Sequence, residues 1–418
     1  MLHQAFDTKT DSYVLNIIDG QQRITTLSLI CMAIAAKSSS QFSLPSIEFG
    51  SPVSHERIAK NYQWLLEQIE EQYFSSTLMS LDLSRINFTL VVTQSEDEAY
   101  RFFETQNTGG VRLTGPQVIK AHHLRAIPNA LQSDLARKWE SLDHLDNVVG
   151  RLLKARRWQA FGFKNVPSHR APEFVKKAIV NEFAEKVSNY VDDLAFSRGA
   201  QKKGLSGAIY QQMIEGYLAK QPLNAGINTV HYLDYFNTLY QSLIVEQSQP
   251  YLQPFYDFYS AVVESANNSD FLTELYDIAI LLYVSEFGTE KLVEASYWLG
   301  RCVFSIRLER KKTVREDSIS SFVGKCHLLD WITTAYQHQQ LIEHLQNYQY
   351  LVSSDNIGNE FSGVKQQFLD GLANHFTIDI ENQSGEQLAK DFDKKLKHAI
   401  KEKIANNSIN SETQEQVA

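Results

Sequence analysis

The chain has 418 residues, of which 43% are hydrophobic and 21% are charged, and its formal net charge is −9. This composition is typical of a globular protein of two or three domains and excludes a strongly basic nucleic-acid coat, although a local basic patch can still bind DNA. Three cysteines without a Cys-x-x-Cys pair argue against a zinc ribbon and favour a reducing, cytoplasmic environment. The longest apolar run, residues 27–36, is too short to cross a bilayer, so no membrane association is expected.

The first third of the chain mixes two kinds of hydrophobic periodicity. Strands are predicted at residues 13–18 (a buried strand), 45–49 and 86–92, where apolar and β-branched residues cluster. Helices are predicted at residues 24–37 and 55–74, from a capping box at 95–98, and at 117–127, where Thr114, Gly115 and Pro116 begin the helix and Pro128 ends it. The pattern indicates an α+β domain over residues 1–128.

Beyond residue 129 strand signals nearly vanish, and long amphipathic segments predict a helical domain at residues 129–385. The segments are residues 131–145, 172–194, 209–218, 229–246 and 270–285, with a loop predicted at 196–207. The last part, residues 386–418, is rich in Lys, Glu, Asn and Gln. It predicts a charged surface helix at 391–404 and a disordered tail at 405–418.

The most informative stretch lies between the first predicted strand and helix, and it consists of Asp19, Gly20, Gln21, Gln22 and Arg23. A helix start presents backbone N–H groups and a positive dipole end to an anion. Glycine lets a ligand approach the backbone, and arginine offers a fork of donors that matches phosphate oxygens. The junction therefore predicts a phosphate site. The alternative is a polar turn in which Arg23 pairs structurally with Asp19.

Residues 19–27, followed by residues 102–114 and by the helix start at 117–120, resemble the GmrSD-type restriction endonuclease N-terminal domain, which is related to the ParB/sulfiredoxin-like fold. The resemblance implies a nucleotide-handling component of a bacterial defence system that cuts modified phage DNA, with a nucleoside triphosphate (GTP or another) and Mg²⁺ as candidate cofactors. It implies catalytic roles for Asp19, which would orient water or a metal, and for Arg23. The implied phosphate-binding residues are Gly20, Gln21, Gln22, Arg23, Thr25, Asn107, Gly109 and Lys120.

The chain also departs from the family pattern. Members usually carry a Pro-Tyr-Gln-Arg block and a strand upstream of the motif, and residues 1–12 show neither. The interpretations are an N-terminally truncated product, a misassigned start or one half of a split gene, and an inactive remnant would leave a sheet edge unpaired. No block resembles an HNH nuclease or offers metal-ligand spacing, so a nuclease is expected on a separate chain. The alternatives are a nucleotide-switched, partition-like DNA-binding adaptor and an inactive remnant.

Several candidate residues also fit ordinary structural roles, and both interpretations stay open. Residues 107–110 are also a common helix C-cap, and Lys120 also fits an ordinary surface lysine. Local basic runs predict contacts to the DNA backbone, with a solvated face of scattered salt bridges as the alternative. These DNA-binding candidates are Arg151, Lys154, Arg156, Arg157, Arg310, Lys311 and Lys312.

Overall fold

The computed structural model describes residues 2–8, 11–37, 52–70, 82, 85–95, 98, 114–162, 171–203, 209–311 and 313–415. The chain divides into two compact units, Met1–Leu113 and Thr114–Ala418. The first contains a small mixed sheet with helices, and the second is mainly helical. This architecture confirms the predicted α+β class. The predicted segments at residues 45–49 and 102–113, including Asn107 and Gly109, lie outside the described residues.

The sheet of the first unit has the order β2-β1-β3. Strand β1 (Leu2–Asp7) pairs antiparallel with β2 (Ser12–Ile17) and parallel with β3 (Val92–Thr93). The expectation that residues 1–12 contain no further strand is therefore wrong. The polar residues His3, Gln4 and Asp7 hid β1 from a search for apolar runs, yet six residue pairs hold it to β2.

Two strand predictions in this unit need correction. Strand β2 was expected to be buried, but residues 12–16 are exposed because β2 is an edge strand of the described sheet. Of the predicted strand at 86–92 only Val92 belongs to a described strand, β3, and Phe88 and Leu90 are exposed. An apolar, β-branched run forms a strand only where a neighbouring backbone supplies hydrogen-bond partners.

Helices α1 (Gln21–Lys37) and α2 (Pro52–Glu70) confirm two of the predicted helices. They bury a small core of Leu29, Ala33, Leu65 and Ile69. The capping box at residues 95–98 also forms in part, since the backbone N–H of Glu98 donates to Ser95 Oγ at 3.3 Å.

The second unit buries one continuous hydrophobic cluster. Its helices are α3 (Gly115–Ala126), α4 (Asn129–Glu140), α5 (Leu145–Gly162), α6 (Pro172–Val180), α7 (Ile227–Tyr240), α8 (Gln253–Phe258), α9 (Asp270–Phe287), α10 (Leu292–Glu309), α11 (Glu316–Cys326), α12 (Leu328–Thr334), α13 (His338–Asn347), α14 (Val364–Phe376) and α15 (Gly385–Glu415). Helices α6, α7 and α8 continue into π-helical turns. Helices α9 and α10 are buried on nearly all sides and form the centre of the unit.

Strands β4 (Phe196–Lys203) and β5 (Ile209–Gly216) form an antiparallel hairpin where a loop and a helical segment were predicted. The apolar residues Ile209, Tyr210, Met213 and Ile214 have helical spacing, which misled the prediction. Eight paired residues in each strand override that spacing, because the ladder satisfies the backbone groups of both segments.

The C-terminal helix α15 also differs from its prediction. Leu388, Phe392, Leu396 and Ile400 recur at i,i+4 spacing and are buried, so α15 packs on the core instead of lying on the surface. The helix continues to Glu415, through most of the segment predicted to be disordered. Among the described residues, none of the helices combines the length and apolar character that a membrane span requires.

Candidate functional site

The Asp-Gly-Gln-Gln-Arg motif forms the junction between β2 and α1, as its sequence predicts. Gly20 has φ +99°, a conformation that favours glycine. Its carbonyl accepts the first internal helix bond, from the N–H of Ile24 at 2.9 Å. Gln21 Nε2 donates to the carbonyl of Ile17 at 2.7 Å, which fastens the helix start to the end of the strand.

Arg23 forms an exposed ion pair with Asp19 within this turn. Arg23 Nη2 lies 2.7 Å from Asp19 Oδ2, and the two side chains are 73% and 33% exposed. This is the contact that the structural alternative expected. A solvent-exposed pair of this kind contributes only about 0–1 kcal/mol, so a phosphate can compete with Asp19 for the guanidinium.

The space in front of Gly20 is open. A Cβ built at this position would meet only Arg23 Nη2, at 4.0 Å. Gln21, Gln22 and Arg23 are exposed, and Thr25 is half-buried one turn into α1. Because the first turn of a helix lacks internal acceptors for its N–H groups, backbone and side-chain donors share this surface. The geometry can hold an anion.

The remaining predicted pocket residues lie in the second unit or outside the described residues. Lys120 lies on α3 in the second unit, and its Nζ donates to Glu140 Oε1 at 3.1 Å. Asn107 and Gly109 lie outside the described residues. In the part of the chain that the structure describes, no group of three His, Cys, Asp or Glu residues could hold a metal ion. The catalytic roles of Asp19 and Arg23 stay predictions.

The basic residues of α5 point to acidic and amide partners of the second unit. Arg151 pairs with Asp277, Lys154 with Glu274, Arg156 with Glu182, and Arg157 with Asn181. Arg151 is 14% exposed and Arg156 is 11% exposed. Burial raises the pKa of Asp277 to about 6 even though Arg151 favours its charged form. These contacts fit the alternative of structural salt bridges, and DNA binding by these residues stays a prediction.

The second basic run lies at the end of α10. Arg310 is exposed, and Lys311 Nζ lies 3.1 Å from Asp355 Oδ2 with its side chain 75% exposed. Lys312 lies outside the described residues. Exposure leaves Arg310 and Lys311 accessible to a partner, but DNA contact by this run also stays a prediction.

Sequence reasoning missed a polar network around Asp193. Its carboxylate accepts hydrogen bonds from Tyr217 Oη at 2.9 Å, Asn228 Nδ2 at 2.9 Å and His231 Nδ1 at 2.7 Å. Partial burial alone would raise the pKa of Asp193, but these hydrogen bonds together hold it below its usual value. The network fixes the His231 tautomer beside an open cavity of about 410 Å³. Of these residues only Asn228 and His231 lie on one helix face, so no short sequence motif predicts the network.

Comparison with known families finds two matches along the chain. Residues 2–124 match the family described as GmrSD restriction endonuclease, N-terminal domain, and residues 131–360 match the Family of unknown function (DUF7834). No curated protein and no solved structure gives a significant match. The first match confirms the resemblance carried by the motif and includes strand β1. It supports a component of a restriction or defence system. The chain belongs to the DUF7834 family and carries a GmrSD restriction endonuclease N-terminal domain ahead of that region.

Proposed function

We propose that the β2–α1 turn binds the phosphate groups of a nucleotide, and that this binding serves a bacterial restriction or anti-phage system. The observation that carries the proposal is the exposed Arg23 beside the open backbone of Gly20 at a helix start. Phosphate is the preferred ligand because a guanidinium fork and helix N–H groups both donate to its oxygens.

Asp19 gives the turn a second chemical property. Its carboxylate repels phosphate unless a cation lies between them, and in this structure Arg23 supplies that cation. A Mg²⁺ ion bound with a nucleoside triphosphate would supply charge neutralisation beside Asp19, and Arg23 would then be released to the phosphate oxygens. Nucleotide binding requires only that Arg23 exchange its contact with Asp19 for contacts with the phosphate oxygens. Hydrolysis requires further groups that stabilise the leaving phosphates, so binding is the central claim.

The proposal extends to partners. DNA and a separate nuclease subunit are the partners that we propose for such a component. The GmrSD-type match supports this setting. A partition-like adaptor, in which nucleotide switches DNA binding without hydrolysis, is the rival function.

Isothermal titration calorimetry of the full-length chain with GTP and with ATP, in the presence of Mg²⁺, tests the proposal. Arg23→Ala should weaken binding about tenfold or more, the effect of losing a charged hydrogen-bond donor. Lys60→Ala is the matched control, because Lys60 also forms an exposed i,i+4 ion pair, with Glu56 at 2.7 Å, in the same unit. It should bind nucleotide like the unaltered protein.

Unchanged nucleotide affinity in Arg23→Ala would refute the proposed site. Phosphate release measured on the same samples separates hydrolysis from binding alone. If the protein shifts DNA on a gel but binds neither GTP nor ATP, the result favours a DNA-binding adaptor that does not depend on this turn.

A further inference from the structure

The second unit contains a small cavity surrounded by cationic side chains. Its volume is about 70 Å³, and it lies where α5 meets the ends of α11 and α12. The charged and polar residues that line it are Arg156, Arg157, Lys220, His327 and Asp330, with Ala155, Trp158, Val323 and Leu329 as apolar wall.

Arg156 forms the fixed wall of this cavity. Its Nε donates to Glu182 Oε1 at 2.8 Å, and its Nη1 donates to the carbonyls of Ala219 and Gln221, also at 2.8 Å. The side chain is 11% exposed. Such a held guanidinium keeps its position whether or not a ligand is present.

Arg157 is less fully engaged. It interrupts α5 with a non-helical backbone (φ −141°, ψ 16°), and its side chain is 29% exposed. Its Nη1 donates to Asn181 Oδ1 at 2.8 Å and lies 3.6 Å from Glu182 Oε2. Within the described residues its Nε and Nη2 groups show no hydrogen bond, so this guanidinium retains donors for a ligand.

The opposite side of the cavity adds one more cation. Lys220 Nζ lies 2.8 Å from Asp330 Oδ1, with the two side chains 31% and 42% exposed. His327 Nδ1 lies 3.6 Å from Asp330 Oδ2. Three permanent cations, Arg156, Arg157 and Lys220, thus line the cavity beside one carboxylate, Asp330. Glu182 behind the two arginines is also paired with Lys186, at 3.6 Å, so the site stays positive even with a neutral histidine.

We propose that this cavity binds one terminal phosphate group, either as inorganic phosphate or at the 5′ end of a nucleotide or nucleic acid. The excess positive charge selects an anion, and the guanidinium forks match phosphate oxygens. The volume accommodates a few water molecules or a single tetrahedral anion, but not a nucleoside. The site is separate from the β2–α1 turn and does not depend on the function proposed for it.

Calorimetric titration of the full-length chain with inorganic phosphate, at constant ionic strength, tests this site. Arg157→Gln and Lys220→Met should each weaken binding about tenfold or more. Asp330→Asn should tighten binding, because among the described residues it removes the only carboxylate that lines the cavity. Lys138→Met is the matched control, since Lys138 forms an equivalent pair with Asp234 at 2.7 Å on another surface of the same unit.

Two single-stranded oligonucleotides of the same sequence, one with a 5′ phosphate and one with a 5′ hydroxyl, distinguish the sources. Preference for the phosphorylated strand, lost in Arg157→Gln, identifies nucleic-acid ends as the ligand. Binding of inorganic phosphate alone, with the same dependence on Arg157, identifies the free anion. Phosphate binding that is lost in Arg23→Ala but kept in Arg157→Gln and Lys220→Met overturns the proposal, as does equal binding of both strands by a protein that does not bind inorganic phosphate. Far-ultraviolet circular dichroism confirms that each variant is folded.

Discussion

Asp393→Ala should destabilise the second unit strongly, because Asp393 neutralises a buried arginine. Arg301 on α10 is fully buried, and its Nε and Nη2 lie 2.7 Å from the two carboxylate oxygens of Asp393 on α15. Arg301 also donates to the carbonyls of Leu345 at 3.1 Å and Tyr348 at 2.9 Å. These contacts fasten the C-terminal helix to the centre of the core.

The expected loss follows from the burial of the two partners. Removing one partner of a buried pair costs about 3–5 kcal/mol, since the remaining charge has no counter-charge. Asp393 is 22% exposed, so water can partly solvate the guanidinium, and we expect a loss near the lower end, about 3 kcal/mol. Glu402→Ala on the same helix removes an exposed pair with His398 and should cost about 0.3–0.5 kcal/mol.

Urea unfolding of the full-length chain, monitored by tryptophan fluorescence, measures the free energies of unfolding of the two variants. The fluorescence reports on the core because Trp298 is fully buried on α10. Hydrogen exchange of the α15 amides locates the effect in the helix itself. Equal stability of Asp393→Ala and Glu402→Ala would refute the reasoning. Adding Arg301→Met to Asp393→Ala should recover part of the loss, because the double variant no longer buries an unpaired charge.

Two further predictions concern the packing around α3. Gly115→Ala should lower the free energy of unfolding by about 1–3 kcal/mol, because its Cβ would lie 2.7 Å from Ile179 Cδ1. A thermal melt measures this loss. The control in the same assay is Gly150→Ala in α5, whose Cβ would meet nothing within 4 Å and which should be neutral or stabilising. His123 is buried and its pKa is lowered to about 3, mainly by burial. The folded state therefore resists protonation, and stability should fall by up to about 1.4 kcal/mol per pH unit as the pH drops below about 6.5, the unfolded-state value. A urea midpoint that is independent of pH between 6.5 and 4 in the unaltered protein, or equally dependent on pH in His123→Gln, would contradict this.

Local signals made the β2–α1 turn predictable. A strand, a glycine with positive φ and a helix start are specified by adjacent residues, and the sequence from Asp19 to Ile24 places them correctly. The capping of α3 was predictable for the same reason, since the backbone N–H of Thr114 donates to Gln117 Oε1 at 2.9 Å. Motifs whose contacts lie within four residues can be recognised before the fold is known.

Other elements depend on distant partners. The polar strand β4 forms because β5 pairs with all eight of its residues, and nothing within β4 itself announces a strand. The stripe of Leu388, Phe392, Leu396 and Ile400 was obscured by the lysines and aspartates between its members. The charged composition predicted only the exposed face of α15. The four buried residues determine where the helix packs.

The basic run of α5 shows why charge clusters need the tertiary structure. Successive helical residues are rotated by about 100°, so residues 151, 154, 156 and 157 cannot share one face. Arg151 and Lys154 meet the carboxylates of α9, whereas Arg156 and Arg157 border the cavity that Lys220 completes from a distant segment. A patch that is continuous in sequence is therefore divided in space between a core ion pair and the proposed phosphate site. If the division is correct, Arg157→Gln should weaken phosphate binding with little loss of stability, and Arg151→Gln should do the reverse. Equal effects of the two substitutions on both measurements would indicate a single shared surface.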